Sequence, residues 1–395
     1  MEETTSELRN VSIKKVRNSS FEILRIIAIL LIIASHFSVH GHFVFTGSPN
    51  SIIFNKIWLD LLVLGNIGVN LFVLISGYFL IDNNKFRIKK VLTLILEMLT
   101  FSIIIGIIFI IAGQKEITWS LIKTILFPVG SRTWGFMTTY LIIYILSPFL
   151  NRGIRAMNRK IHLTLIAILL VIWSILPTLV LKDYDYSSFG WFITLYLISS
   201  YIKIYDINLK IKPYFGILIS IGIYLFYFFL KWGITLAFDS NNDFVEWFTL
   251  SRRNNIFQVC CTVLLFMSFK NIHIRSSKAI NMIASTTMAI YLFHDHPEVR
   301  SFLWVNIFKN STYTNSPYLF LYSLACILAV FSFGVLIGLA YRYSFSIGYD
   351  KILKYFDEKW LYRVDDIFNN KEETNSSSNN EIEQIDLNEA ENHQE

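Results

Sequence analysis

Ionisable side chains lie within the first apolar stretch of the chain, where charged groups are costly to keep. Arg25 and His36 are eleven positions apart, and an α-helix, at about 100° per residue, brings them to within about 20° of each other. They lie roughly 16 Å apart along the helix axis. An imidazole exchanges a proton near neutral pH, and a guanidinium holds an anion. This pair therefore predicts a polar cavity along one face of the helix.

Glu22, three residues before Arg25, shares that face and can pair with the guanidinium. Each residue also has a structural interpretation. Arg25 can extend its stem to the lipid headgroups, and His36 can be a packing residue bonded to a neighbouring helix. A stripe facing lipid would cost at least about 2.5 kcal/mol for each charged group at the helix centre. We therefore favour the cavity.

A basic cluster directly follows the second apolar stretch. Close to Arg25 it would form an anion site suited to phosphate groups, whereas alone it would be ordinary loop charge. Glu97, within the next stretch, is either a counter-ion for these bases or a functional carboxylate. The members of the cluster are Lys85, Arg87, Lys89 and Lys90.

Two other segments carry candidate residues. Ser76 and Tyr78 lie among glycines at helix-packing spacing, and close helix packing is the main alternative to a site role there. His294 and His296 end a later apolar stretch, but an i, i+2 pair points to different faces of a helix and lacks further ligands at a recognisable spacing. We therefore predict no metal site, and His294 has either a site role or an interfacial packing role.

The composition identifies the class of protein. The 395 residues are 54% apolar and 16% charged, with a mean hydropathy of +0.49, which excludes a soluble domain. Ten stretches are long and apolar enough for a transmembrane helix of about 20 residues. We predict an all-α polytopic membrane protein with about ten transmembrane helices. The stretches are residues 20–40, 57–81, 90–112, 134–150, 162–181, 189–205, 213–237, 255–270, 279–296 and 318–345.

Loop charge predicts the orientation of these helices. The N-terminal tail and alternate loops hold 17 basic residues against nine in the opposite loops, and the richer side is cytoplasmic by the positive-inside rule. Ten spans then place both termini in the cytoplasm. We divide the chain into a cytoplasmic tail (1–18), a membrane domain (19–345), an amphipathic cytoplasmic segment (346–363) and a disordered acidic cytoplasmic tail (364–395).

Several segments, in order along the chain, resemble the integral-membrane acyltransferase-3 family. The resemblance covers about residues 19–345, and its most specific part is the Arg-x10-His spacing of Arg25 and His36. One departure concerns the stretch after the second span, where the family often has Arg-x-x-Arg and this chain has Arg87-Ile88-Lys89-Lys90. A lysine binds phosphate as a point charge without bidentate geometry. The matching segments are residues 21–28 with His36, 68–78, 134–136, 146–151, 191–192 and 290–294.

The resemblance implies transfer of an acyl group, usually acetyl, from cytoplasmic acyl-CoA to a hydroxyl of an extracytoplasmic polysaccharide or lipid-linked oligosaccharide. The implied location is the cytoplasmic membrane of a bacterium. Acetyl-CoA is then a co-substrate, and no permanently bound cofactor is expected. The expected partners are membrane lipids, acyl-CoA and the glycan acceptor, with no nucleic acid. The oligomeric state stays open, a homodimer included.

Roles for the candidate residues follow from this resemblance together with their chemistry. His36 is the general base or the acyl carrier, because a glycan hydroxyl needs a base within hydrogen-bond reach. Arg25 stabilises a CoA phosphate or the charge that develops on the thioester oxygen. The nucleotide end of CoA is expected at Arg87, Lys89 and Lys90.

Other functions remain as alternatives. A transporter or flippase for an anionic or lipid-linked substrate would also use ten spans and a buried Arg–His stripe, although the chain shows no evident internal repeat. A non-catalytic sensor with an acidic docking tail is a third interpretation. Membrane acyltransferases that use a histidine with an upstream Asn or Asp would leave the Arg-x10-His helix unexplained.

Overall fold

The computed structural model describes residues 19–46, 49–83, 85–179, 188–238 and 252–369. Within these residues the protein consists of helices joined by loops and contains no strand, which confirms the all-α class. The α-helices are α1 (Ser19–His40), α2 (Pro49–Val63), α3 (Ile67–Leu80), α4 (Ile88–Ile111), α5 (Trp119–Leu126), α6 (Gly135–Ala156), α7 (Arg159–Leu170), α8 (Leu176–Leu179), α9 (Ser188–Ile204), α10 (Pro213–Ala237), α11 (Ile256–Lys270), α12 (Lys278–Ala284), α13 (Thr287–His294), α14 (Pro297–Ser301), α15 (Leu319–Tyr341), α16 (Ile347–Phe356) and α17 (Tyr362–Asn369).

Helices occupy all ten of the predicted apolar stretches, as expected for a polytopic membrane protein. Six helical runs of the described chain are long and apolar enough to cross a membrane, and the shorter α11 is also apolar. The stretches 134–150, 189–205 and 255–270 each fold as one helix. The stretch 279–296 is instead divided between α12 and α13. The six runs are Ser19–His40, Ile52–Leu80, Ile88–Ile111, Arg159–Thr178, Pro213–Ala237 and Leu319–Phe356.

Contacts between loops define one end of the helix bundle, which we call the basic end. Arg155, at the end of α6, donates to the carbonyl of Ile81 over 2.8 Å. The backbone N–H of Ser277 donates to the hydroxyl of Ser19, at the start of α1, over 3.0 Å. These loops all belong to the side that loop charge assigns to the cytoplasm. Further contacts of this end join Lys203 to Asp82, Lys270 to Asp206 and Ile88 to Asp365.

The opposite end of the bundle, which we call the histidine end, collects the other loops. Lys115, after α4, pairs with Glu298 of α14 over 2.9 Å. The amide of Asn315 donates to the carbonyl of Thr46 over 2.9 Å. The described loop contacts therefore fall into two groups, one at each end of the bundle.

Helix α1 lies at the centre of the bundle and contacts α2, α3, α11, α12, α13 and α15. Its Leu24 and Ile29 are fully buried. The approach of α3 depends on glycine, because a Cβ added at Gly68 would collide with the carbonyl oxygen of Ala28. The packing role of this glycine is thus confirmed. Arg25 and His36 lie on a helix that is surrounded by protein.

The C-terminal part of the chain differs from the predicted division. Instead of ending near residue 345, helix α15 continues through a π-helical turn into α16. The Tyr349 and Thr100 hydroxyls lie 2.9 Å apart, so this segment packs back against α4. Helix α17 extends beyond residue 364, the predicted start of the disordered tail. The predicted N-terminal tail and residues 370–395 lie outside the described residues.

Candidate active site

Two histidines meet at the histidine end of the bundle. Nδ1 of His36 is 3.1 Å from Nε2 of His294, the last residue of α13. Nδ1 of His294 lies 2.6 Å from the carbonyl oxygen of Ile290, so this nitrogen carries a proton and donates it to the carbonyl. Nε2 of neutral His294 is then an acceptor for the N–H at Nδ1 of His36. This bond assigns neutral His36 the tautomer with its proton on Nδ1. Nε2 of His36 then keeps its lone pair.

Asp295 supplies the negative charge of this cluster. Its Oδ1 lies 3.5 Å from Nδ1 of His36 and 3.2 Å from a guanidinium nitrogen of Arg300. The carboxylate therefore places negative charge directly beside the ring of His36. Sequence reasoning missed Asp295 as a site residue, although it directly follows His294.

Trp134 supports the end of α13 that carries His294. Its indole N–H donates to the carbonyl of Leu292 over 3.1 Å, and its ring meets His296 edge-on at 5.3 Å between ring centroids. His296 in turn accepts the backbone N–H of Glu298 over 3.3 Å and caps the short helix α14. The aromatic segment around Trp134 therefore positions the histidine cluster, which consists of His36, His294 and Asp295 together with the adjacent His40. His296 has a structural role.

His40 lies one helical turn beyond His36, and the centroids of the two rings are 5.3 Å apart. One ring nitrogen of each histidine and one carboxylate oxygen of Asp295 lie within 4.8 Å of one another, a grouping that could hold a metal ion. The prediction of no metal considered only His294 and His296. That prediction overlooked the i, i+4 spacing of His36 and His40. This spacing places both residues on one helix face.

Arg25 lies at the basic end and pairs with Glu22, as its i, i+3 spacing predicts, over 2.8 Å. Glu22 is 5% exposed, and its second carboxylate oxygen has no hydrogen-bond partner among the described residues. A buried acceptor without a partner is costly unless water or a ligand satisfies it. The charges of Arg25 and Arg87 both act on Lys90. Arg25 and the basic cluster thus lie at the same end of the bundle.

Arg87, Lys89 and Lys90 line a cavity of about 530 Å³ at the basic end. The carboxylate of Asp365 accepts the backbone N–H of Ile88 over 2.8 Å, at the N-terminus of α4. Helix N-termini beside basic residues favour anions, and the protein's own carboxylate lies at this one. Sequence reasoning missed such acidic partners because it treated the C-terminal segment as separate from the site. The acidic residues that line the cavity are Asp350, Asp357 and Asp365.

The contact between Asp365 and the backbone of Ile88 predicts which part of the C-terminus can be removed. Asp365→Ala deletes the acceptor for the N-terminus of α4, and we expect a loss of about 1 kcal/mol in the docking of α17, the usual value for a helix N-cap. Limited proteolysis of the membrane-embedded protein should then cut within α16 and α17 several-fold faster. Deletion of residues 370–395 should leave both this rate and activity unchanged. Cleavage of Asp365→Ala at the wild-type rate would disprove the contact.

The remaining sequence candidates lie elsewhere. Tyr78 lines a second cavity of the basic end, of about 460 Å³, with its ring 4.6 Å from Nζ of Lys203. A hydrogen bond from Lys270 lowers the pKa of Asp206 in the same cavity. Ser76 is half-buried on α3, and no hydrogen bond within the described residues joins it to His36 or Arg25. Glu97 forms no ion pair with a described residue, so its counter-ion role is not borne out.

Comparison with known proteins identifies the family. The family model described as an acyltransferase domain, of the acyltransferase-3 type, matches residues 18–343. Comparisons with curated proteins and with solved structures gave no match. The matched segment contains His36, His294 and Arg25 and ends within the last helical run. Because the match covers most of the chain, this protein belongs to the acyltransferase-3 family of membrane acyltransferases.

Proposed function

We propose that the protein is an O-acyltransferase that moves an acetyl group from acetyl-CoA, bound at the basic end, to a hydroxyl of a glycan or lipid-linked oligosaccharide at the histidine end. The bond between His36 and His294 carries this proposal, because it leaves Nε2 of His36 unprotonated inside the bundle. Family membership supplies the reaction class. The basic end faces the cytoplasm, where acetyl-CoA is made, and the membrane is the cytoplasmic membrane of a bacterium.

The acceptor hydroxyl is a weak nucleophile, so His36 acts on its proton. Nε2 of His36 takes this proton while the hydroxyl oxygen attacks the thioester carbonyl carbon. The new C–O bond forms, the C–S bond breaks, and the CoA thiolate leaves with the proton returned by the imidazolium. His294 holds the ring in the required tautomer, and Asp295 stabilises the transient positive charge. The ring therefore begins and ends the cycle neutral.

The donor end of the reaction uses the basic cluster. Positive charge where the phosphates of CoA would enter comes from Arg25, Arg87, Lys89 and Lys90. The N-terminus of α4 adds backbone N–H donors. The phosphates displace Asp365 from that N-terminus. Helix α1 runs from this cluster to the histidine end, so an acyl group on the extended pantetheine arm can travel along it.

Acetyl transfer is tested with the purified full chain in lipid nanodiscs. Acetyl-CoA labelled in the acetyl group is supplied with an oligosaccharide acceptor, and labelled ester is measured alongside free CoA. The proposal expects one ester for each CoA released, and label lost on mild alkaline treatment. Binding of acetyl-CoA without release of CoA would favour the sensor. Movement of labelled substrate across sealed vesicles without ester formation would favour the transporter.

A further inference from the structure

The histidine cluster holds more metal-binding atoms than proton transfer requires. His36 and His40 are four residues apart on α1, so their imidazoles extend from the same face of the helix. Asp295 comes from the loop after α13, on the other side of the cluster. One nitrogen from each histidine and one oxygen from Asp295 lie within 4.8 Å of one another. The proposed mechanism uses His36 and Asp295 and leaves His40 without a role.

This donor set suits a divalent transition metal. Two imidazoles and one carboxylate are ligands that Zn²⁺ and its neighbours prefer, and three protein ligands leave a position for water. Zn²⁺ lies about 2.0–2.2 Å from such ligands, which places the ligand atoms about 3.4 Å apart in a tetrahedral site. Rotation of the half-buried His40 ring is the adjustment that brings the three ligand atoms to this distance from one another.

We propose that His36, His40 and Asp295 form a reversible site for a divalent transition-metal ion of the Zn²⁺ class, and that the bound ion stops acyl transfer. The binding part of this proposal stands on geometry alone. The inhibitory part rests on the proposed function, because it assumes that His36 is the base.

Inhibition follows from either way in which His36 can bind the ion. Coordination through Nε2 occupies the lone pair that accepts the hydroxyl proton. Coordination through Nδ1 displaces the proton that His36 donates to His294, and it places the remaining ring proton on Nε2. The base is lost in both cases. Removal of the ion by a chelator restores it, because no covalent bond has formed.

Arg300 regulates the affinity of this site. Its guanidinium lies 3.2 Å from Oδ1 of Asp295, the oxygen that also lies 3.5 Å from Nδ1 of His36. A positive charge beside a cation site weakens binding. Arg300 is about one-third exposed, so it can move away when the ion enters. We expect Arg300→Gln to strengthen metal binding.

Cobalt provides a direct test of binding that does not depend on activity. Co²⁺ is titrated into the purified full chain in nanodiscs, and the visible d–d absorption is followed. We expect saturation at one equivalent, with His40→Ala weakening binding by at least about 10- to 100-fold, since even partners outside the coordination shell change affinity by that much. His40→Gln repeats the test if the alanine variant folds poorly. His273→Ala, which changes an exposed histidine at the basic end, should bind as the wild type does.

The transfer assay then tests inhibition. Zn²⁺ should inhibit the wild type reversibly, and His40→Ala should keep metal-free activity while losing this sensitivity. Equal Co²⁺ binding by the wild type and His40→Ala, or no binding by the wild type, would overturn the proposal. Failure of the proposed function is distinguishable, because the metal-free wild type would then form no labelled ester, or His36→Ala would retain full transfer, whatever the cobalt titration gives.

Discussion

Replacing His36 by alanine should reduce acetyl transfer at least about 100- to 10,000-fold, the usual contribution of a positioned general base. The reason is the bond from Nδ1 of His36 to His294, which leaves Nε2 of His36 as the proposed base. The measurement is kcat for labelled ester in nanodiscs at saturating acetyl-CoA. The KM for acetyl-CoA should change little, because the proposed donor site lies at the basic end.

Two matched variants make this prediction specific. His40→Ala removes the neighbouring imidazole on the same helix face and should retain transfer in metal-free buffer. His294→Phe keeps an aromatic ring but removes the acceptor for His36, and it should lower kcat by less than His36→Ala because the base itself remains. Wild-type transfer by His36→Ala would rule out base catalysis by this residue. Rapid quench into denaturant at neutral pH during turnover distinguishes a histidine that carries the acetyl group, since the label would then be found on the protein.

Replacing Arg25 by alanine should raise the KM for acetyl-CoA by about 10- to 100-fold. A hydrogen bond to a charged group contributes about 1.5–3 kcal/mol, which corresponds to this range. Arg25 pairs with Glu22, and its charge also acts on Lys90, so its loss weakens the positive charge at the proposed entrance for CoA phosphates. Initial rates across a range of acetyl-CoA concentrations measure the effect.

The control for Arg25 addresses folding. The single variant leaves the carboxylate of Glu22, which is 5% exposed, without its cation. Breaking a buried ion pair in this way costs about 3–5 kcal/mol. The double variant Glu22→Gln with Arg25→Ala removes the unpaired charge. It should recover thermal stability but keep the raised KM, whereas recovery of a wild-type KM would show that Arg25 has only a structural role.

The sequence alone determined the class of protein, the helix positions and the family. Helix formation in a membrane depends on local properties, since a stretch of about 20 apolar residues satisfies its own backbone hydrogen bonds wherever it lies. The pairing of Glu22 with Arg25 was also readable, because i and i+3 residues are neighbours on any α-helix. The i, i+4 spacing of His36 and His40 was equally available and was overlooked.

Only the tertiary structure decided which helices meet. His36 and His294 are 258 positions apart, and nothing in their local sequence indicates that their rings lie 3.1 Å from each other. The same holds for Asp365 and Ile88, whose contact places a carboxylate in the predicted phosphate site. Such contacts depend on how all the helices pack around α1, which is a property of the whole bundle. The sequence identified His36 as a candidate base, and the packing of α13 against α1 decided which of its nitrogens is free to act.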